Sequence, residues 1–238
     1  MRQVIIIGTL LVLGAVAATG CIASEDSCDL KTQGIKVELA AMEEDGVATG
    51  NAEFYTDENM AIILGDCGDK ITVNGTELQV VNANASPVVY SANVEATGTY
   101  EFVFSRPDEG DYTSTVTGLR PAVTLTAPAE GAEIPRDADL LVEWDDNNGG
   151  AGNDEIKAIV TGDCIGIDYE QTFSPDDGAD TIAADSLNVD GDTTTCAAEL
   201  VMTRKVTGTL DPALDSQGGW IEGWSVGRTS FTTIPTAP

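Results

Sequence analysis

Short runs in which apolar and polar residues alternate recur along most of the chain. Between Ile35 and Arg120 they are IKVEL, NAEFYT, MAIIL, KITVNG, ELQVV, VVYSANV, TYEFVF and YTSTVTGL. Alternation with period 2, broken by Gly, Asn and Asp clusters such as DCGDK, NGT and ATGT, is the pattern of half-buried strands joined by turns. In TYEFVF, Tyr100, Phe102 and Phe104 share a side, so three aromatics on one face predict the nucleus of a sandwich core. After LRPAVTLTAPAEG the pattern resumes as VTLT, DLLVEW, EIKAIVTG, DYEQTF, ELVMTRKVTGTL and RTSFTTI, at the spacing of sandwich strands. Leu140, Val142 and Trp144 fall on one side of DLLVEW, which predicts Trp144 in a second core. No strong helical period occurs beyond the N-terminal run, so the expected class is all-β, with two tandem β-sandwich domains at 35–121 and 122–238.

The first residues break this pattern. Met1 and Arg2 precede VIIIGTLLVLGAVAA, an uncharged run ending in small residues, as in a secretory signal peptide. Crossing a bilayer as a helix takes about 20 apolar residues. This run is shorter, and it is followed by the acidic SEDSCDL, where a stop-transfer segment would carry Lys or Arg. With Ala18, Thr19, Gly20 and Cys21 at its end, the segment resembles the signal peptide and lipobox of bacterial lipoproteins, although Ala18 stands where Leu is usual. The resemblance covers residues 1–21. It implies cleavage after residue 20, acylation of Cys21 on sulfur (a palmitate-type chain), and attachment to the membrane through the lipid. Ile22 following the cysteine, rather than Asp, implies outer-membrane localisation, on the cell surface or the periplasmic face. Residues 21–34 are then the lipidated N-terminus and a polar tether.

Charge narrows the partners. With 40 acidic residues against 11 basic ones, the formal net charge is −29. Such a surface repels nucleic acid and anionic headgroups, so the membrane contact expected is the lipid itself. The 42% of hydrophobic residues, arranged in strand-like runs, argue for folded domains rather than a solvating tail. Assigning Cys21 to lipid leaves Cys28, Cys67, Cys164 and Cys196, which permit three pairings. Because the interval between Cys67 and Cys164 spans the domain junction, Cys28–Cys67 and Cys164–Cys196 are the preferred disulfides. The chain has no histidine and no CxxC, a poor basis for a zinc site.

A second resemblance is diffuse. CGDKITVNGTEL, YSANV, YEFVFSRPDEGDYTSTV, LTAPAEGAEIPRDADLLVEW, ELVMTRKVTGTLDP and IEGWSVGRTSFTTIP are similar to uncharacterised two-domain surface lipoproteins of myxobacterium-like Gram-negative bacteria. It implies immunoglobulin-like sandwiches and supplies no catalytic residues.

Candidate chemistry is sparse. WDDNNGGAGNDE gathers Asp145, Asp146, Asn147, Asn148, Asn153, Asp154 and Glu155, and SPDDGAD and NVDGDTTT repeat the theme at 174–180 and 188–195. Calcium takes six to eight oxygens from such loops, but the spacing is not that of an EF-hand. Solvated turns are expected, and no metal or other cofactor is assigned. NGT at Asn74 and NAS at Asn84 match the glycosylation pattern, with turns as their expected role. Without histidine, no Ser/His/Asp or Cys/His system can be assembled, and a carboxylate pair is uninformative in so acidic a chain. Trp220 and Trp224 in GGWIEGWSVGR are expected in core or edge packing. Exposure of both beside an acidic loop would favour a glycan ligand. The chain thus reads as a non-enzymatic envelope protein with a binding, adhesion or surface-structural role toward a protein or glycan partner. A calcium-dependent or carbohydrate-binding module is the alternative, and a carboxylate-based hydrolase the less favoured one.

Overall fold

The computed structural model describes residues 24–81, 87–145, 155–187, 189 and 195–235. Among these the fold is all-β apart from two 3-10 turns, Ser27–Asp29 and Thr32–Gly34. The first ten strands are β1 (Glu25–Asp26), β2 (Lys36–Glu44), β3 (Val47–Tyr55), β4 (Ile62–Ile63), β5 (Lys70–Val73), β6 (Thr76–Glu77), β7 (Gln79–Val80), β8 (Val89–Glu95), β9 (Thr99–Arg106) and β10 (Gly110–Thr117). The other eight are β11 (Leu125–Ala127), β12 (Ala132–Pro135), β13 (Leu140–Trp144), β14 (Ile156–Thr161), β15 (Tyr169–Phe173), β16 (Ala179–Ile182), β17 (Cys196–Thr207) and β18 (Trp220–Ile234).

Two small sheets, in the orders β10-β9-β5-β6 and β11-β13-β16, each face part of one large sheet ordered β15-β14-β17-β18-β2-β3-β8-β7, with β12 also paired to β18. The first core lies under β9, where Tyr100, Phe102 and Phe104 are all buried against Phe54, Leu39 and Tyr90. Phe54 and Phe104 approach to 5.0 Å between ring centroids. The second core gathers Leu140, Val142, Trp144, Ile156, Phe173 and Leu200. Trp144 stacks on Phe173 at 5.6 Å, with the ring planes 11° apart. Full burial of each such side chain contributes about 1.5–3 kcal/mol.

The large sheet belongs to both sandwiches because β18 is 15 residues long. Its first part, Trp220–Ser225, runs parallel to Glu38–Glu43 of β2, and its last part, Phe231–Ile234, runs parallel to Ala132–Pro135 of β12. β17 follows its other edge antiparallel, from Glu222 to Thr233. Accordingly Leu214 and Ile221 pack in the first core, while Phe231 packs in the second.

Residues 24–34, expected to be part of a tether, are docked. Glu25 and Asp26 pair with Ile62 and Ile63, and Cys28 is bonded to Cys67 with Cα atoms 5.8 Å apart. The buried Arg106 uses all five of its N–H groups, three of them on this region. Nε donates to Asp69 at 3.0 Å, Nη1 to Thr32 Oγ1 and Glu109, and Nη2 to the carbonyls of Ser27 (2.6 Å) and Leu30 (2.9 Å). A polar composition suggested solvation, but backbone carbonyls taken up by a buried guanidinium cannot belong to a free segment.

Candidate binding surfaces

Along β18, side chains alternate between the cores and the outside. Ile221, Gly223, Ser225, Gly227, Thr229 and Phe231 face inward and are buried, whereas Trp220, Glu222, Trp224 and Arg228 face out. The small inward residues have a steric cause. A Cβ at Gly227 would lie 2.0 Å from the Val123 carbonyl oxygen, because the segment joining the two sandwiches crosses the strand there. The two tryptophans therefore lie on the open face of the large sheet, partly covered, rather than in either sandwich core.

Neighbouring strands continue this face. Register places Met42 beside Trp224, Glu38 beside Trp220 and Lys205 on the other flank of Trp224. Ile159, Val201 and Val226 form a buried apolar patch with Met42 and Trp224 packed against it. Around it lies a set of ion pairs. Lys205 pairs with Glu222 and sits 5.4 Å over the Trp224 ring. Arg228 pairs with Glu44 at 2.5 Å and Glu199 at 3.3 Å. Lys36 pairs with Glu38 and lies 5.6 Å over Tyr55, and Lys157 pairs with Glu170. Four of the chain's 11 Lys and Arg thus share one face, each matched to a glutamate. Tyr55 donates to Glu53. Burial pushes the Glu53 carboxyl up, opposed by that hydrogen bond and reinforced by Glu38. Burial likewise pushes the Tyr55 phenol up, so it keeps its proton and donates at neutral pH.

The other residues singled out by sequence fall elsewhere. Cys164 and Cys196 are bonded, with Cα atoms 5.9 Å apart, across the end of the second core. Cys21, Asn84, most of the 144–155 loop and most of 188–195 lie outside the described residues. Asn74 is in the β5–β6 turn at φ 46°, its amide bonded to the Thr99 carbonyl and the Glu101 N–H. Among the described residues no group of three or more acidic or cysteine side chains is arranged to hold a metal.

In SPDDGAD, Asp176 has an ionic role. It is buried and accepts from Arg204 Nε at 2.5 Å and Nη2 at 3.1 Å, from Trp144 Nε1 at 2.6 Å, and from Arg120 at 3.1 Å. Arg204 also donates to the Asp145 carbonyl at 2.6 Å, and Ser225 donates to the Arg120 carbonyl at 2.5 Å. Burial alone would raise the Asp176 carboxyl. The hydrogen bonds from Arg204 and Trp144 and the charges of Arg204 and Arg120 outweigh it and hold the carboxyl below its usual range. This cluster joins β13, β17, β18 and the inter-sandwich segment. Its oxygens are already taken by donors, so it is a structural tie and not a calcium loop. The acidity of the loop was visible in sequence, but its arginine partners, distant along the chain, were not.

No protein-family model matches the chain, and no curated protein matches it. Among solved structures, the fibronectin(III)-like modules of Clostridium thermocellum CbhA are 12% identical over 85% of this chain and 94% of that one, with a TM-score of 0.28. The Yersinia pseudotuberculosis adhesin InvE is 15% identical over 84% of this chain and 59% of that one, with a TM-score of 0.23.

Proposed function

We propose that this chain is a non-catalytic, lipid-anchored envelope protein that binds a neutral polysaccharide on the open face of its large sheet. The observation carrying this reading is the pair Trp220 and Trp224, on one strand, on one face and outside both cores. Four residues of strand separate them by about 13 Å, room for two pyranose rings stacking their C–H faces on two indoles. Glu38, Glu222 and Lys205 beside the rings offer acceptors and a donor for sugar hydroxyls. With a net charge of −29, anionic polymers are repelled. The cations on the face are already paired, which favours a neutral, hydroxyl-rich ligand over a charged one.

Affinity electrophoresis against a panel of soluble neutral polysaccharides tests the binding face. Retardation by at least one polymer is expected, with loss of about tenfold in affinity for Trp224→Ala, a sugar–indole stacking loss of about 1.4 kcal/mol. Retention of full affinity by the Trp220→Ala/Trp224→Ala double variant would remove the reading. For the anchor, intact mass spectrometry of membrane-extracted protein is expected to show loss of residues 1–20 and acyl mass on Cys21. A mass that retains the leader would count against it.

A further inference from the structure

The sheet has a notch. Along the edge of β18, pairing with β2 ends at Ser225 and pairing with β12 begins at Phe231. A groove of about 790 Å³ opens at this break, between the β2–β3 turn, the β8–β9 turn, the inter-sandwich segment and Arg228. That volume lies in the range of small-ligand sites, about 300–1,000 Å³.

Its chemistry is polarised. One wall, made by Leu119, Pro121, Ala122, Val123 and Leu125, is apolar apart from Thr124. The opposite wall carries Glu43 and Asp45. Asp45 and Gly46 have φ of 51° and 76°, as in a two-residue hairpin turn that fixes the carboxylate's base. Glu43 is only 4% exposed. Its Oε1 accepts from the Tyr100 hydroxyl and from the Gly98 N–H at 2.8 Å, while its Oε2 has no hydrogen-bond partner among the described residues. Gly98 is itself held at φ 67° by packing on Leu119, whose N–H donates to the Gly98 carbonyl at 3.0 Å. The Tyr100 phenol is pushed up to about 12, by burial first and then by Glu43, so it stays a donor and does not compete for a cation. Arg228, at the rim, is committed to Glu44 and Glu199.

A buried carboxylate with one acceptor oxygen unused, set opposite an apolar wall several carbons long, fits a cation on an aliphatic stem. We propose that this groove binds a primary alkylammonium group, either the side chain of a lysine on a partner protein or a free diamine. The ammonium would be held by Glu43 Oε2 and Asp45, and the methylenes would lie along Leu119 to Leu125. The reading is independent of the tryptophan face.

The test is an amide-resolved NMR titration of the mature, oxidised chain with three probes: Nα-acetyl-lysine N-methylamide, its norleucine counterpart, and 1,5-diaminopentane. The lysine probe is expected to give saturable shifts at Asp45, Gly46, Thr97 and Gly98, and the norleucine probe none. Preference for the lysine probe assigns a protein side chain, and preference for the diamine assigns a free amine. Glu43→Gln is expected to weaken binding by at least about tenfold, the loss of one charge-assisted contact. If that variant loses its dispersed spectrum, Asp45→Asn, which keeps an Asn-Gly turn, is expected to weaken binding about threefold or more. Equal shifts with norleucine, no saturable shifts with either amine, or unchanged affinity in the folded acid-to-amide variant would overturn the proposal. Trp224→Ala is expected to leave these shifts unaltered, which separates this site from the polysaccharide face.

Discussion

Asp176→Asn is expected to destabilise the protein by about 3–5 kcal/mol, the cost of leaving a buried charge without its partner. The amide keeps the shape and can still accept from Trp144, but Arg204, 4% exposed, loses its counter-charge. One of its nitrogens, Nη1, is buried without a hydrogen-bond partner, so the guanidinium has no reserve of contacts. Urea unfolding followed by circular dichroism checks this, with a lower midpoint and an unchanged slope. The pH dependence has a fixed sign. The folded carboxyl lies below its ordinary value of 3.8, so its stabilisation is fully present above that value and is lost as pH falls through the lower, folded one. The gap between wild type and Asp176→Asn should therefore be constant near neutrality and close only below about pH 3.8. A gap that closed between pH 5 and 6 would mean another group carries the effect.

Reduction of both disulfides is expected to have a still larger effect. The bonds close sequence separations of 39 and 32 residues, and the chain-entropy relation assigns each about 4 kcal/mol. Together that is comparable to the whole stability of an ordinary domain, about 5–15 kcal/mol. The two should not open together. Cys28 and Cys67 are exposed, whereas Cys196 is 2% exposed and part of the second core. Mild reductant should open Cys28–Cys67 first, leaving Cys164–Cys196 protected until the second sandwich unfolds. Thiol alkylation with mass mapping along a reductant series reads the order. Simultaneous opening, or a fully folded tetra-thiol form, would contradict this account.

The strands were legible because burial on one face imposes period 2. TYEFVF and DLLVEW show it, and their aromatics lie in the two cores. In β18 the same rule misleads. Its bulkiest side chains, Trp220 and Trp224, were expected in core or edge packing, yet the inward positions belong to Gly223, Ser225 and Gly227, because the inter-sandwich segment presses against that side. Nothing local to GGWIEGWSVGR encodes that crossing. The parallel pairing of β18 with β2 joins residues some 180 positions apart, and no short-range signal specifies such a register. Charge was equally ambiguous. Nothing in the sequence marks Arg106, Arg204, Asp176 or Glu43 as buried, and their burial follows from partners that only the fold brings together. The tether reading of residues 24–34 failed for the same reason, since the acceptors that Arg106 satisfies are backbone carbonyls, which composition does not display.

The sharing of β18 between two sandwiches also bears on mechanics. β2 enters at its N-terminal end from the docked segment, and β18, parallel to it, leaves at the far end toward the C-terminus. A pull between the N-terminal side of β2 and the C-terminal end of β18 would draw these two strands in opposite directions along their axes. Their hydrogen bonds would then carry the load side by side instead of parting one after another, and the β17–β18 ladder spanning both sandwiches would spread it further. A chain built this way meets tension across its width, because its two halves share one continuous strand.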